Sequence, residues 1–284
     1  MPSIRIVNQE AKALGNMTDF RTLLEITLQA RHQGRPLILF LDYDGTLVEI
    51  APRPELARPS KRLLELLDQL AAQEYLKVIV VSSRSLKELQ ELLPVPGLDF
   101  LGSYGGEVFI FGRPYLLQAA TMDRNELLHW RNRLVARLKP FQGWRIDDKP
   151  LGFAIHYRQV PPEQTYEFIG ALGRWKEQLR QAGLFQILGG KKIQEILPQW
   201  ISKGAAVQEI LSLLPRNDSF FPIYVGDDAS DESAFQILQN LGLTIKVGHP
   251  GTKTAAFHFL PDPEAVLRLL SLLVDARIPP EDLK

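Results

Sequence analysis

Asp42-Tyr43-Asp44-Gly45-Thr46 follows directly on the apolar run Leu37-Ile38-Leu39-Phe40-Leu41. Side chains alternate along an extended backbone, so Asp42 and Asp44 point the same way and can address one metal ion or one phosphorus atom. Gly45 permits a tight turn behind them, and Thr46 adds a hydroxyl. Four fixed positions of this kind are expected by chance about 0.002 times in a chain of this length, which sets aside an accidental acidic turn. A second acidic cluster, Gly226-Asp227-Asp228-Ala229-Ser230-Asp231-Glu232, also follows an apolar stretch. A helix cap with an acidic first turn accounts for Ser230, Asp231 and Glu232 but not for Asp227 and Asp228. Four or more carboxylates at one sheet edge repel one another unless a divalent cation neutralises them. An all-oxygen donor set points to a hard ion, Mg2+.

Two further groups suit phosphoryl transfer. Ser82 ends the apolar segment Leu76–Val81, where its hydroxyl can hold a phosphate oxygen. The competing role of helix cap belongs better to Ser85, three residues before Glu88 as in a capping box. Lys203, at the head of an expected helix, can supply positive charge to phosphoryl oxygens. Alone it reads as a solvated lysine, and its weight comes from the other motifs.

These groups need a scaffold that brings strand ends together. The apolar run at 37–41 and the largely apolar segment 76–81 are too short for helices and fit strands buried on both faces of a parallel sheet. Helices are expected near 18–33, from Ser60, from Ser85 and after Lys203, with strands near 99–103, 107–111, 222–225 and 243–247, and further helices from Ser230 and from Pro263. In open parallel sheets, ligands bind outside the carboxyl ends of the strands, where both acidic clusters fall. Between 113 and 198 the pattern changes to helices over 124–139 and 163–181, a half-alternating strand at 152–158 and strand character over 185–197. On that strand Ala154, His156 and Arg158 share one face, opposite Phe153, Ile155 and Tyr157. The reading is an α/β fold, a doubly wound Rossmann-like parallel sheet core (1–112 and 199–284) with an inserted smaller α+β cap domain (113–198).

Composition narrows the partners. Thirty-three basic and thirty-three acidic residues cancel, so nothing suggests nucleic acid or an anionic membrane. The chain has no cysteine, which excludes disulfides, zinc thiolates and thiol nucleophiles and suits a reducing, cytoplasmic location. The opening residues, with Arg5, Glu10 and Lys12, lack the apolar core of a signal peptide, and no apolar run is long enough to span a membrane. A monomer is the simplest expectation.

Asp42-x-Asp44-Gly-Thr, Ser82, Lys203 and Gly226-Asp-Asp-x-x-Asp231, in this order, resemble the four motifs of the haloacid dehalogenase superfamily, and the insert resembles its C2 type of cap. Within that superfamily the chain is most similar to the trehalose-6-phosphate phosphatases. The markers are Leu41-Asp-Tyr-Asp-Gly-Thr-Leu, Ser82-x-Arg84, Gly102-Ser103 ahead of Gly105, Lys149, His156-Tyr157-Arg158 and Gly190-Lys191-x-x-x-Glu195. The resemblance implies an Mg2+-dependent phosphatase acting on a small sugar phosphate through an aspartyl-phosphate. It makes Asp42 the nucleophile and Asp44 the general acid, then base. Asp42, the backbone carbonyl of Asp44, and Asp227 hold the metal, Asp231 orients the site, and Ser82 and Lys203 bind the phosphoryl group. Arg84, Asp147, Lys149 and Glu195 bind substrate. Departures from the family pattern stand at Ser83, Tyr104, Asp147 and Leu197, where Gly, His, Glu and a basic residue are usual. Other readings are a phosphatase for sucrose 6-phosphate, a glycosylglycerol phosphate or a glycosyl phosphoglycerate, a phosphomutase, or a non-catalytic partner of a sugar synthase.

Overall fold

The computed structural model describes residues 17–115, 124–190, 192–214, 220–251 and 253–276. The chain divides into two units, Met1–Leu116 with Ser202–Lys284, and Leu117–Ile201. Residues 1–16, which carry the argument against a signal peptide, and Lys191 lie outside the described residues. No helix among the described residues is long and apolar enough to cross a membrane.

In the larger unit the apolar run forms strand β1 (Leu37–Asp42), buried at every position. Leu37, Leu39 and Leu41 pack with Leu23, Leu63, Leu67 and Leu270, contributed by helices α1 (Phe20–His32), α2 (Lys61–Ala71) and a C-terminal helix, Pro263–Asp275. Phe40 points the opposite way and stacks on Tyr224 at 6.2 Å. Apolar layers on both faces are why β1 shows no polar alternation. The chain continues through β2 (Leu76–Val81), α3 (Leu86–Leu92), β3 (Asp99–Gly102), β4 (Glu107–Ile110) and β5 (Arg113–Tyr115). At the head of α3, Ser85 and Glu88 form the expected capping box.

The smaller unit holds α4 (Arg124–Leu138), β6 (Arg145–Lys149), β7 (Gly152–His156), α5 (Pro162–Ala182), β8 (Phe185–Gly190) and β9 (Ile193–Pro198). Its sheet is antiparallel, in the order β6-β7-β9-β8. Both helices cover one face, where Trp130 and Leu134 of α4 and Phe168 and Trp175 of α5 meet Phe153, Ile155 and Ile196. The other face carries Asp147, Lys149, Ala154, His156 and Glu195 by strand alternation.

The chain then returns to the larger unit with α6 (Lys203–Leu213), β10 (Phe221–Gly226), α7 (Glu232–Leu238), β11 (Leu243–Val247), β12 (His258–Leu260) and α8 (Pro263–Asp275). The large sheet runs β12-β11-β10-β1-β2-β3-β4-β5, parallel from β12 to β3 and antiparallel at the β4 and β5 edge. From β1 the chain builds outward through β2 and later restarts on the other side with β10. The crevice between β1 and β10 is therefore the topological switch point, and Asp42 and Asp227 stand at its carboxyl edge.

Four details differ from expectation. The segment Arg113–Tyr115, assigned from the sequence to the insert, pairs with β4 in the large sheet. Arg145–Lys149, with four charged residues in five, forms β6 because only one of its faces must be apolar. α7 opens at Asp231 and not at Ser230, whose N–H and hydroxyl both turn to the Asp228 carboxylate. β7 ends at His156, which leaves Arg158 in a turn rather than on the strand.

Candidate active site

Asp42 is the last residue of β1 and is almost fully buried. The chain then folds back within five residues, with the Leu47 and Val48 N–H groups donating to the Tyr43 carbonyl and the Gly45 N–H donating to the Val48 carbonyl at 2.8 Å. Gly45 has φ +85°, and a methyl group on it would collide with the Asp227 carboxylate. The glycine thus serves both the turn and the close approach of the second acidic loop. Gly226 is needed for a similar reason, because a side chain there would strike Asp231.

Lys203, at the first position of α6 behind the Ser202 cap, is buried and donates to Asp42 Oδ1 at 2.6 Å and to Asp231 Oδ1 at 2.8 Å. Asp231 also accepts from the Tyr224 hydroxyl at 2.7 Å and, on Oδ2, from the Asp228 N–H at 3.0 Å. Burial alone would push the Lys203 pKa down, but Asp231 and Asp42 outweigh it and hold the ammonium charged, well above the usual lysine range. Burial, then Asp231 and Asp227, push Asp42 up despite Lys203. Burial, followed by Asp231 and Asp228, raises Asp227 to about 6.

Oxygens of Asp42, Asp227 and Asp231 lie within 4.8 Å of one another, a set that can bind a metal ion. Asp231 has its oxygens committed to three donors. Asp227 Oδ1 is buried and, among the described residues, has no hydrogen-bond partner. An orphaned carboxylate oxygen beside a second buried carboxylate fits a hard divalent cation, since only a positive charge relieves both the desolvation and the repulsion.

Ser82, immediately after β2, accepts the Arg84 N–H on its Oγ at 3.2 Å, which leaves its own O–H to donate. Arg84, expected to bind substrate, is turned to Asp44. Its Nε and Nη2 clasp the Asp44 carboxylate at 2.7 Å each, and Nη2 also donates to the Pro54 carbonyl at 2.8 Å. This fork takes the Asp44 side chain, whose metal role was expected from its backbone oxygen, out of the acidic trio. Behind Ser82, the Tyr104 N–H donates to the Ser82 carbonyl and the Ser103 N–H to the Arg84 carbonyl. Ser103 (φ 50°) and Tyr104 (φ 60°) are held in the left-handed region to do so, at a cost of roughly 1–3 kcal/mol each.

Within the smaller unit, Lys149 Nζ and Glu195 Oε1 pair at 2.6 Å. They stand on β6 and β9, so the lysine crosses β7 where Gly152 and Ala154 offer the smallest side chains. Asp147 shares a register row with Ala154 and Glu195, and its carboxylate lies 3.9 Å from His156 Nε2. Burial, then Arg145, lowers the His156 pKa. Glu195 Oε2 is buried without a partner among the described residues, an acceptor open to a ligand hydroxyl.

Sequence reasoning missed Tyr224 and Lys246, which bond the acidic loop from β10 and β11. The available signal was a polar group inside each apolar strand, since buried hydroxyls and ammonium groups need partners.

The trehalose-phosphatase family model matches residues 40–264. A trehalose 6-phosphate phosphatase of Zea mays is 29% identical over 272 residues, covering 88% of this chain and 73% of that protein. A trehalose-phosphate phosphatase of Mycobacterium tuberculosis is 33% identical over 241 residues, covering 82% and 60%. The C-terminal domain of the C. albicans trehalose-6-phosphate phosphatase superposes with a TM-score of 0.77 over 93% of this chain and 99% of that one. At 22% identity that likeness shows the fold alone.

Proposed function

The chain belongs to the trehalose-phosphatase family, and from that premise we propose that it hydrolyses trehalose 6-phosphate to trehalose and inorganic phosphate through an aspartyl-phosphate on Asp42, with Mg2+ as cofactor. The observation that carries this reading is the buried Asp42–Lys203–Asp231 cluster, with an Asp227 oxygen beside it that has no partner among the described residues. Asp42, Asp227 and the backbone carbonyl of Asp44 are the proposed Mg2+ ligands. When bound, the ion offsets the charge of the carboxylates and of the phosphoryl oxygens.

In the first half-reaction an Asp42 oxygen forms a bond to phosphorus while the bond from phosphorus to the sugar oxygen breaks. Asp44, once released from the Arg84 fork and protonated, delivers its proton to that leaving oxygen. Lys203 already holds Asp42 Oδ1, which leaves the other oxygen to attack. In the second half-reaction Asp44 takes a proton from water, whose oxygen bonds to phosphorus as the Asp42–phosphorus bond breaks, and phosphate leaves. Lys203 and the Ser82 hydroxyl steady the phosphoryl oxygens, and Asp231 keeps Lys203 aimed. The Arg84 fork supports a positioning role on Asp44 in place of direct contact with sugar. Asp147, Lys149 and Glu195 are the proposed sugar-binding groups, supported by the open acceptor on Glu195. A cytoplasmic location belongs to the same proposal and rests on the absence of cysteine.

The test is phosphate release from trehalose 6-phosphate, sucrose 6-phosphate and p-nitrophenyl phosphate, with Mg2+ and with a chelator. The expected result is the highest kcat/KM for trehalose 6-phosphate and loss of all activity in chelator. A higher kcat/KM for sucrose 6-phosphate refutes the substrate, and full activity of metal-stripped protein refutes the cofactor.

A further inference from the structure

We propose that Lys246 is a positioning residue for the acidic loop, and that it sets the affinity of the Asp42–Asp227 pair for a divalent cation by pinning the Asp228 peptide. The inference rests on reading Asp42 and Asp227 as cation ligands.

The loop from Asp227 to Asp231 is neither strand nor helix, yet Asp227 must face Asp42 closely enough to share an ion. Asp228 is the residue through which it is braced. Its N–H donates to Asp231 Oδ2 at 3.0 Å, and its Oδ1 accepts from the Ser230 N–H and hydroxyl at 2.7 and 2.6 Å. Its carbonyl accepts from Lys246 Nζ at 3.1 Å, which ties the loop to the neighbouring strand. Lys246 is the register partner of Gly226 on β11, so the ammonium rises beside the point where β10 gives way to Asp227.

Lys246 is 9% exposed, and a lysine is seldom buried unless it is paired. Its counter-ion is Glu232 at 3.6 Å, whose second oxygen accepts the Ala255 N–H at 2.8 Å. The ammonium also lies over the Phe235 ring, 5.9 Å from its centroid. Lys246 therefore sits in a frame made by β11, α7 and the loop at 255, and its outward contact is with the backbone of the metal-binding loop. Groups that orient metal ligands typically change metal affinity by about 10–100-fold when removed.

Two physical effects oppose each other on loss of the ammonium. If Lys246 is only a counter-charge for nearby carboxylates, removing it makes the cluster more negative and tightens cation binding. If it holds the loop in place, removal weakens binding, because Asp227 must then be ordered by the ion itself. The sign of the change separates the two.

The experiment is calorimetric titration of Mg2+ into the full chain, for wild type, Lys246→Met, Lys246→Arg and Glu232→Gln. The expected result is Mg2+ affinity weakened about tenfold or more in Lys246→Met and restored to within about threefold in Lys246→Arg. Unchanged or tighter binding in Lys246→Met, with normal binding by wild type, overturns this inference alone. Absence of Mg2+ binding by wild type overturns the cation reading and this inference with it. Should Lys246→Met fail to fold, Glu232→Gln decides. It keeps an acceptor for Ala255 while removing the charge that steadies Lys246, and is expected to weaken Mg2+ two- to fivefold, with no change as the refuting result.

Discussion

Tyr224→Phe removes one oxygen from the centre of the large sheet and leaves the ring in place. The ring contacts with Phe40 at 6.2 Å and Phe235 at 5.5 Å survive, so no cavity opens. What is lost is a 2.7 Å hydrogen bond from the hydroxyl to Asp231 Oδ1, in a site where both partners are wholly buried. A bond to a charged acceptor contributes about 1.5–3 kcal/mol. The loss stays below the roughly 3–5 kcal/mol of a broken buried ion pair, because Asp231 keeps Lys203 and the Asp228 N–H. At about 2–4 °C per kcal/mol for a domain of this size, Tm falls by about 3–12 °C. The same change loosens the carboxylate that aims Lys203, and kcat/KM for the proposed substrate falls about tenfold, equivalent to about 1.4 kcal/mol in the transition state. Urea unfolding without metal, followed by steady-state kinetics of the same preparations, measures both. A stability loss under about 0.5 kcal/mol with unchanged kinetics would mean that the hydroxyl is not committed to Asp231, and would refute the argument.

Asp42→Asn keeps the shape of the proposed nucleophile and removes its reactivity, so turnover vanishes while folding persists. Activity above about a hundredth of wild type in that variant contradicts the covalent route. Glu195→Ala breaks the 2.6 Å pair with Lys149 and removes the open acceptor. It should lower kcat/KM for trehalose 6-phosphate about tenfold to over a hundredfold and leave p-nitrophenyl phosphate within about twofold. An equal fall for both substrates assigns Glu195 to the fold instead. His258, buried in β12, has its pKa pushed by burial from 6.5 to about 4. The unfolded chain therefore binds the proton first. The stability due to neutral His258 is complete above pH 6.5 and is lost as pH falls toward 4, about 2 kcal/mol of it by pH 5. In His258→Asn the stability difference between pH 7 and pH 5 should shrink by that amount, and equal differences in the two proteins refute the assignment.

The strands β1 and β2 were legible in the sequence because two-sided burial writes a largely apolar run, and β11 was legible despite Thr244 and Lys246. The caps at Ser60 and Ser85 were legible because local side-chain chemistry suffices to start a helix. The two acidic clusters stood out for the same local reason, as carboxylates placed at the ends of such runs. β5, β6 and β12 were not legible. Each is short, and β6 is an edge strand whose charged residues are tolerated only because one face is open. The partners within the site were also beyond the sequence. Lys203 reaches Asp42 across 161 residues, and Arg84 chooses Asp44 over 40. Tyr224 and Lys246 gain meaning only when β10 and β11 lie beside the acidic loop. By itself, then, the sequence determined which residues carry reactive groups and that these sit at strand ends, since both follow from residue type and local periodicity. The tertiary structure decided which of them share a proton, a charge or an ion, because those energies depend on distances of a few ångströms that strand order alone brings about.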